Sequence, residues 1–188
     1  MKNLNIKYII GGALLIAFWL IWFGGSENRE LNSVSPLRGG SQAATVSRAL
    51  TGDLAPNFTL TSLDGGTITL ADYHGEKPVI LDFFATWCPN CRRDMPKLSN
   101  WYEQYKDKVE VIGVNLQERD TTVEHYTSSA GISFPIVLDP RAEVARAYGV
   151  QFTNYHVLIN KEGIIAGVVP GDIKKSHILS LIEVSKEN

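Results

Sequence analysis

The chain has two cysteines, Cys88 and Cys91, three residues apart in Trp87-Cys88-Pro89-Asn90-Cys91. A disulfide scaffold would spread several cysteines along the chain, and a structural zinc site would need a second Cys/His pair at ligand spacing. His74, His125, His156 and His177 are scattered, with no two at metal-binding spacing. One close pair without a second points to thiol–disulfide exchange. Its surroundings agree with this: an apolar run of strand length precedes it, and Pro89 suits the first turn of a helix. At a helix start Cys88 would face unpaired backbone N–H groups and the positive end of the macrodipole, which stabilise a thiolate. Such sites lower a cysteine pKa from ~8.5 to within ~3.5–7.5. Cys91, one turn later and deeper, would titrate less readily. Cys88 is therefore expected to attack and Cys91 to resolve the mixed disulfide. Arg92 and Arg93 either add positive potential or lie solvated on the helix.

Asp82 interrupts the apolar run 79–84. An unpaired buried charge is costly there and tends to stay protonated; the plainer reading is a hydrogen-bonded core group.

The elements around the pair follow from periodicity and turn residues. Residues 58–61 and 67–70 alternate on either side of Asp64-Gly65 and predict a β-hairpin. Runs 79–84, 109–116 and 134–138 read as buried strands, and 155–160 and 164–169 flank a Lys161-Glu162-Gly163 turn. Helices are expected from Cys88-Pro89 to about Tyr105, kinked at Pro96, and from a Thr121-x-x-Glu124 capping box to Gly131. A third should run from Asp139-Pro140 to Gly149, and a last one over 172–185, with Ile178, Leu181 and Ile182 on one face. Strands alternating with helices predict an α/β domain of three layers, a mixed sheet with helices on both faces.

Lys2 and Lys7 precede residues 8–25, which carry no charge. At about 1.5 Å per residue this stretch covers roughly 27 Å, close to the ~30 Å hydrocarbon core. Trp19 and Trp22 sit near its far end, and Glu27 and Glu30 follow it. An N-inside anchor or a cleaved signal peptide would both place the rest outside the cytoplasm. Residues 26–53, rich in Ser, Gly, Asn and Ala, read as a flexible linker. The division is thus 1–25 anchor or signal, 26–53 linker and 54–188 folded domain. The net charge of −2 and the absence of a basic cluster argue against nucleic acid as a partner. No cofactor is implied.

Phe84-Ala85-Thr86-Trp87-Cys88-Pro89-Asn90-Cys91-Arg92 with Met95-Pro96 resembles the thioredoxin superfamily, and more narrowly the TlpA/ResA-like extracytoplasmic thiol-disulfide oxidoreductases. That group includes the cytochrome c maturation reductases. Ala55-Pro56-x-Phe58, Val114-Asn115-x-x-Glu118, Phe134-Pro135-x-Val137-Leu138-Asp139, Tyr148-Gly149-Val150 and Leu158-Ile159-Asn160-x-x-Gly163 extend the likeness over the domain. The resemblance implies a thioredoxin fold with a helix-containing central insertion and an N-terminal membrane anchor. It implies a periplasmic-side location, protein substrates with disulfides or cysteines such as apocytochrome c, and a membrane electron donor upstream. It places Asp82 beneath the second cysteine, where it helps move a proton, and Glu118 near the active site, where the plainer reading is a loop residue. Trp87, Pro89, Asn90, Thr153 and Asn154 would form the substrate groove.

One position departs from the family. Asn154 stands where a cis-proline is expected, in Phe152-Thr153-Asn154-Tyr155-His156. A cis bond before a non-proline residue costs roughly 2.5–4 kcal/mol, so a trans bond is expected. The family's proline ring blocks metals from the thiolates; Asn154, Tyr155 and His156 should reshape the groove. The alternative function is therefore a copper-binding chaperone, with Cys88, Cys91 and His156 as Cu(I) ligands, unless His156 turns into the sheet or to solvent. A peroxidase ranks last, since Ala85 stands where a threonine would precede the attacking cysteine.

Overall fold

Two threonine-flanked segments pair as the alternation predicts. β1 (Thr59–Thr61) and β2 (Thr67–Thr69) form an antiparallel ribbon of their own. In the computed structural model, which describes residues 49–185, the run 79–84 becomes β3 (Val79–Phe84), buried at every residue. A continuous apolar run belongs in a sheet covered on both faces. The next elements are α1 (Pro89–Tyr105), β4 (Glu110–Leu116), α2 (Asp120–Ala130) and β5 (Ile136–Asp139). They are followed by α3 (Glu143–Ala147), β6 (Tyr155–Ile159), β7 (Ile165–Pro170) and α4 (Lys175–Val184). The sheet order is β5-β4-β3-β6-β7, with β3, β4 and β5 parallel and β6 and β7 antiparallel to their neighbours.

Alternation along β3 divides the core. Ile80 and Phe84 pack with Met95 and Leu98 of α1, Val123 and Tyr126 of α2, and Ile178, Leu181 and Ile182 of α4. Leu81 and Phe83 face the other way, onto Val144, Ala145 and Tyr148 at α3 and the N-terminal Ala55 and Phe58. Asp82 shares the face of Ile80 and Phe84, and so lies under α1.

Several boundaries differ from the sequence reading. The capping box does not form: α2 begins at Asp120, so Thr121 is already helical and cannot act as N-cap. Asp120 Oδ1 instead accepts the Thr121 N–H at 2.7 Å. α3 starts later than Asp139-Pro140, because Asp139 reaches forward to accept the N–H groups of Glu143 (2.8 Å) and Ala145 (2.9 Å). α1 runs unbroken through Pro96. Residues 49–53, read as the end of the linker, already bond to the domain through Ala49 N–H to the Ala147 carbonyl, and Gly52 N–H to the Ile165 carbonyl. The apolar stretch 8–25 lies outside the described residues, among which no helix is long and apolar enough to cross a membrane.

Candidate active site

β3 ends in Phe84, a short turn follows, and α1 starts at Pro89, so the cysteines sit where a buried strand hands over to a helix. Cys88 is the N-cap, with extended backbone, and its sulfur accepts the Cys91 N–H at 3.2 Å. Both thiols are free. Cys91 is fully buried and Cys88 is 5% exposed. Burial works against a Cys88 thiolate, but hydrogen bonds from the Cys91 thiol, the Thr153 hydroxyl and the backbone N–H groups of Cys91 and Asn90 outweigh it. The thiol therefore lies below its ordinary value. Cys91 goes the other way: burial, followed by its hydrogen bond to Cys88, pushes its pKa up to about 12.

Glu118 follows β4 at the edge of the site. Its carboxylate accepts the Thr86 N–H (2.7 Å), the Thr86 hydroxyl (2.6 Å) and the Asn115 side-chain amide (2.8 Å). The two bonds from Thr86 hold the turn that carries Trp87 and Cys88, and the bond from Asn115 ties Glu118 to β4. The arginines are also engaged: Arg92 bonds the Thr86 carbonyl (3.4 Å) and lies over the Tyr126 ring, while Arg93 goes to Asn90 (3.0 Å) and Asp172.

Trp87 (69% exposed) and Thr153 line a groove of about 480 Å³ with Leu116, Ala145, Val150 and half-exposed Phe152. Pro89 and Asn90 are exposed at the helix start beside the cysteines. Asn154 does not line this groove. It is buried, with φ 61°, and no cis peptide bond occurs among the described residues. Its N–H donates to the Phe83 carbonyl (2.9 Å), its carbonyl accepts the Gly171 N–H (2.8 Å), and its side-chain amide donates to Asp172 (3.1 Å). Asparagine is among the few side chains that tolerate this left-handed conformation. Arg93 grips the same Asp172 carboxylate with two bonds of 2.7 and 2.8 Å. The wall opposite the cysteines is thus tied to α1 through Asp172.

Tyr155 and His156 are both buried, so neither reshapes the groove directly. His156 faces Asp82 across the β3–β6 ladder. Among the described residues no group of three or more His, Cys, Asp or Glu side chains is placed to hold a metal, so Cys88, Cys91 and His156 do not assemble into the copper site considered above. Asp82 is buried under α1, and burial, outweighing the pull of His156, raises its pKa to about 6. Its charge acts on Cys91. Sequence reasoning missed Asp94. It is buried on the same helical stripe as Cys91, Met95 and Leu98, and one Oδ2 accepts the Ile173 N–H at 2.9 Å. Its signal was the spacing of three from Cys91, which puts it on the inward face.

A strand–Cys-x-x-Cys–helix junction in this sheet, with a carboxylate beneath the second thiol, defines a thioredoxin-fold thiol-disulfide oxidoreductase. The chain belongs to the AhpC/TSA family, whose model matches residues 51–168. It is 38% identical over 144 residues to the thiol-disulfide oxidoreductase ResA of Halalkalibacterium halodurans, covering 76% of this chain and 81% of that protein. It is 38% identical over 136 residues to ResA of Bacillus subtilis, covering 72% and 75%. Among solved structures, a thioredoxin-family thiol:disulfide interchange protein from Chlorobium tepidum superimposes with a TM-score of 0.64 at 25% identity, covering 74% of this chain and 99% of that one.

Proposed function

We propose that this oxidoreductase reduces disulfides of exported proteins from the outer side of a membrane, with Cys88 as the attacking thiol and Cys91 as the resolving thiol. The asymmetry of the pair carries the assignment: Cys88 is acidified at the helix start, and Cys91 is buried with a pKa of about 12. The Cys88 thiolate attacks a substrate disulfide, forming a mixed disulfide and releasing the first substrate thiolate. Cys91 then gives up its proton, its sulfur bonds to Cys88, and the second substrate thiolate leaves. Asp82, buried below, is the acceptor for that proton. Glu118 acts at one remove, by fixing the Thr86-Trp87-Cys88 turn.

The exposed Trp87 and the apolar groove running to Thr153 suit an extended peptide lying beside the thiols, with Pro89 and Asn90 at its edge and Asn154 supporting Thr153 from behind. Residues 8–25 serve as the anchor and the stretch from 26 to 48 as the tether, with the folded domain, which residues 49–53 already join, reaching its partners at the membrane surface. Apocytochrome c cysteines are the substrates that the family resemblance favours, and a membrane electron donor would return the pair to its reduced state.

A trapping experiment separates the roles. Cys91→Ser should accumulate mixed disulfides through Cys88, and Cys88→Ser should accumulate none. Equal trapping by both variants would refute the assignment. A reduction potential near that of thioredoxin, about −270 mV, supports a reductase; one far above it, near −120 mV, would make the protein an oxidant.

A further inference from the structure

Below Cys91 three ionisable side chains from three elements meet: Asp82 of β3, His156 of β6 and Asp94 of α1, none more than 2% exposed. His156 Nε2 lies 3.3 Å from Asp82 Oδ1 and 3.8 Å from Asp94 Oδ2. Its Nδ1 is 3.3 Å from the Val169 carbonyl oxygen. A carbonyl only accepts, so Nδ1 carries a hydrogen and Nε2 is the nitrogen free to gain or lose a proton. Both Asp82 oxygens and Asp94 Oδ1 lack a hydrogen-bond partner among the described residues. Oxygens so placed are costly as bare carboxylates. Emptied of mobile protons, the cluster would bury two negative charges with no countercharge. One such proton leaves a single negative charge and two leave the cluster neutral, and His156 Nε2 is the atom between the two acids.

We propose that His156 is a positioning residue for the resolving step, holding the mobile proton of an Asp82–His156–Asp94 relay so that Asp82 is left free to receive the proton of Cys91. The proposal rests on the roles assigned above to the two cysteines. As the Cys91 sulfur bonds to Cys88, the Cys88–substrate bond breaks and its electron pair leaves on the substrate sulfur. The Cys91 proton moves to Asp82, while the proton on His156 Nε2 stays between the two acids. Other groups around the cluster modulate it: Lys97 and Asp172 act on Asp94 in opposite directions, Tyr126 of α2 feels the charge of Asp82, and His177 of α4 feels that of His156. None of these lies between the two acids.

The full-length chain is loaded at Cys88 with thionitrobenzoate, and release of the chromophore by Cys91 is followed against pH. In wild type the rate should rise as Asp82 loses its proton. In His156→Gln, Asp82 and Asp94 must share one negative charge without the imidazole, so the rising limb should move alkaline by about one pH unit, an about tenfold slower release on the acid side. Adding Asp94→Asn should return the limb toward wild type. An unmoved limb in His156→Gln, or a shift that Asp94→Asn does not reverse, overturns the proposal. If His156→Gln does not fold, Asp94→Asn alone decides instead: with the second acid neutral the rising limb should move toward acid, and an unmoved limb overturns the proposal. If wild type releases no chromophore, or Cys91→Ser releases it equally well, the exchange roles themselves fail.

Discussion

Asp82 keeps its place in the core at a cost that depends on pH. Its pKa is raised from an ordinary 3.8 to about 6, with burial the largest cause. A carboxyl whose folded pKa is raised contributes its stability while protonated, below its unfolded value, and loses it as pH climbs through about 6. The loss amounts to about 3 kcal/mol at 1.36 kcal/mol per unit. Asp82→Asn should therefore be more stable than wild type at pH 8, and the gain should vanish near pH 4; paired urea titrations at the two pH values check this. Glu118 presents the opposite case. Each of its three bonds is accepted by a carboxylate, and Glu118→Gln would set an amide donor against a backbone or hydroxyl donor. Urea unfolding should show a loss of about 1–3 kcal/mol, with a looser Trp87-Cys88 turn.

At the level of elements, the wall opposite the cysteines depends on backbone conformation rather than on a proline ring. Asn154→Pro would force φ from 61° toward about −65° and remove the N–H that bonds the Phe83 carbonyl, costing about 3 kcal/mol or more. Asn154→Gly keeps the conformation and loses only the side-chain bond to Asp172, so it should cost about 1 kcal/mol. Thermal melts of both variants distinguish the two costs. Elements set by local pattern were readable in the sequence: the buried run of β3, the ribbon around Asp64-Gly65, the proline-led start of α1 and the glycine stop of α2 at Gly131. Elements set by distant partners were not. The partner of Asp94 is set by the packing of α1 on the sheet, where it meets His156 from β6. The left-handed turn at Asn154 depends on Phe83 and Gly171, neither of which is near it in the chain. The start of α3 was misread because Asp139 caps it from across a proline.

For the whole molecule, the sequence and the folded domain make separable claims. The stretch 8–25 predicts that the full-length chain will resist carbonate extraction from membranes, with the domain open to protease added from outside the cytoplasm. Recovery of the chain in the carbonate supernatant would contradict the anchor and leave the thiol chemistry untouched. That chemistry lies between two differently held surfaces. Below the cysteines, the acid–imidazole cluster is buried. On the far wall, Arg93 and Asp172 join in the open, with side chains 51% and 44% exposed. Dissolved ions reach only the second, since exposed pairs are screened by salt. Ionic strength should therefore loosen the wall that backs Thr153 while leaving the proton chemistry beneath the thiols unchanged, so that a salt series shifts substrate capture but not the pH dependence of resolution.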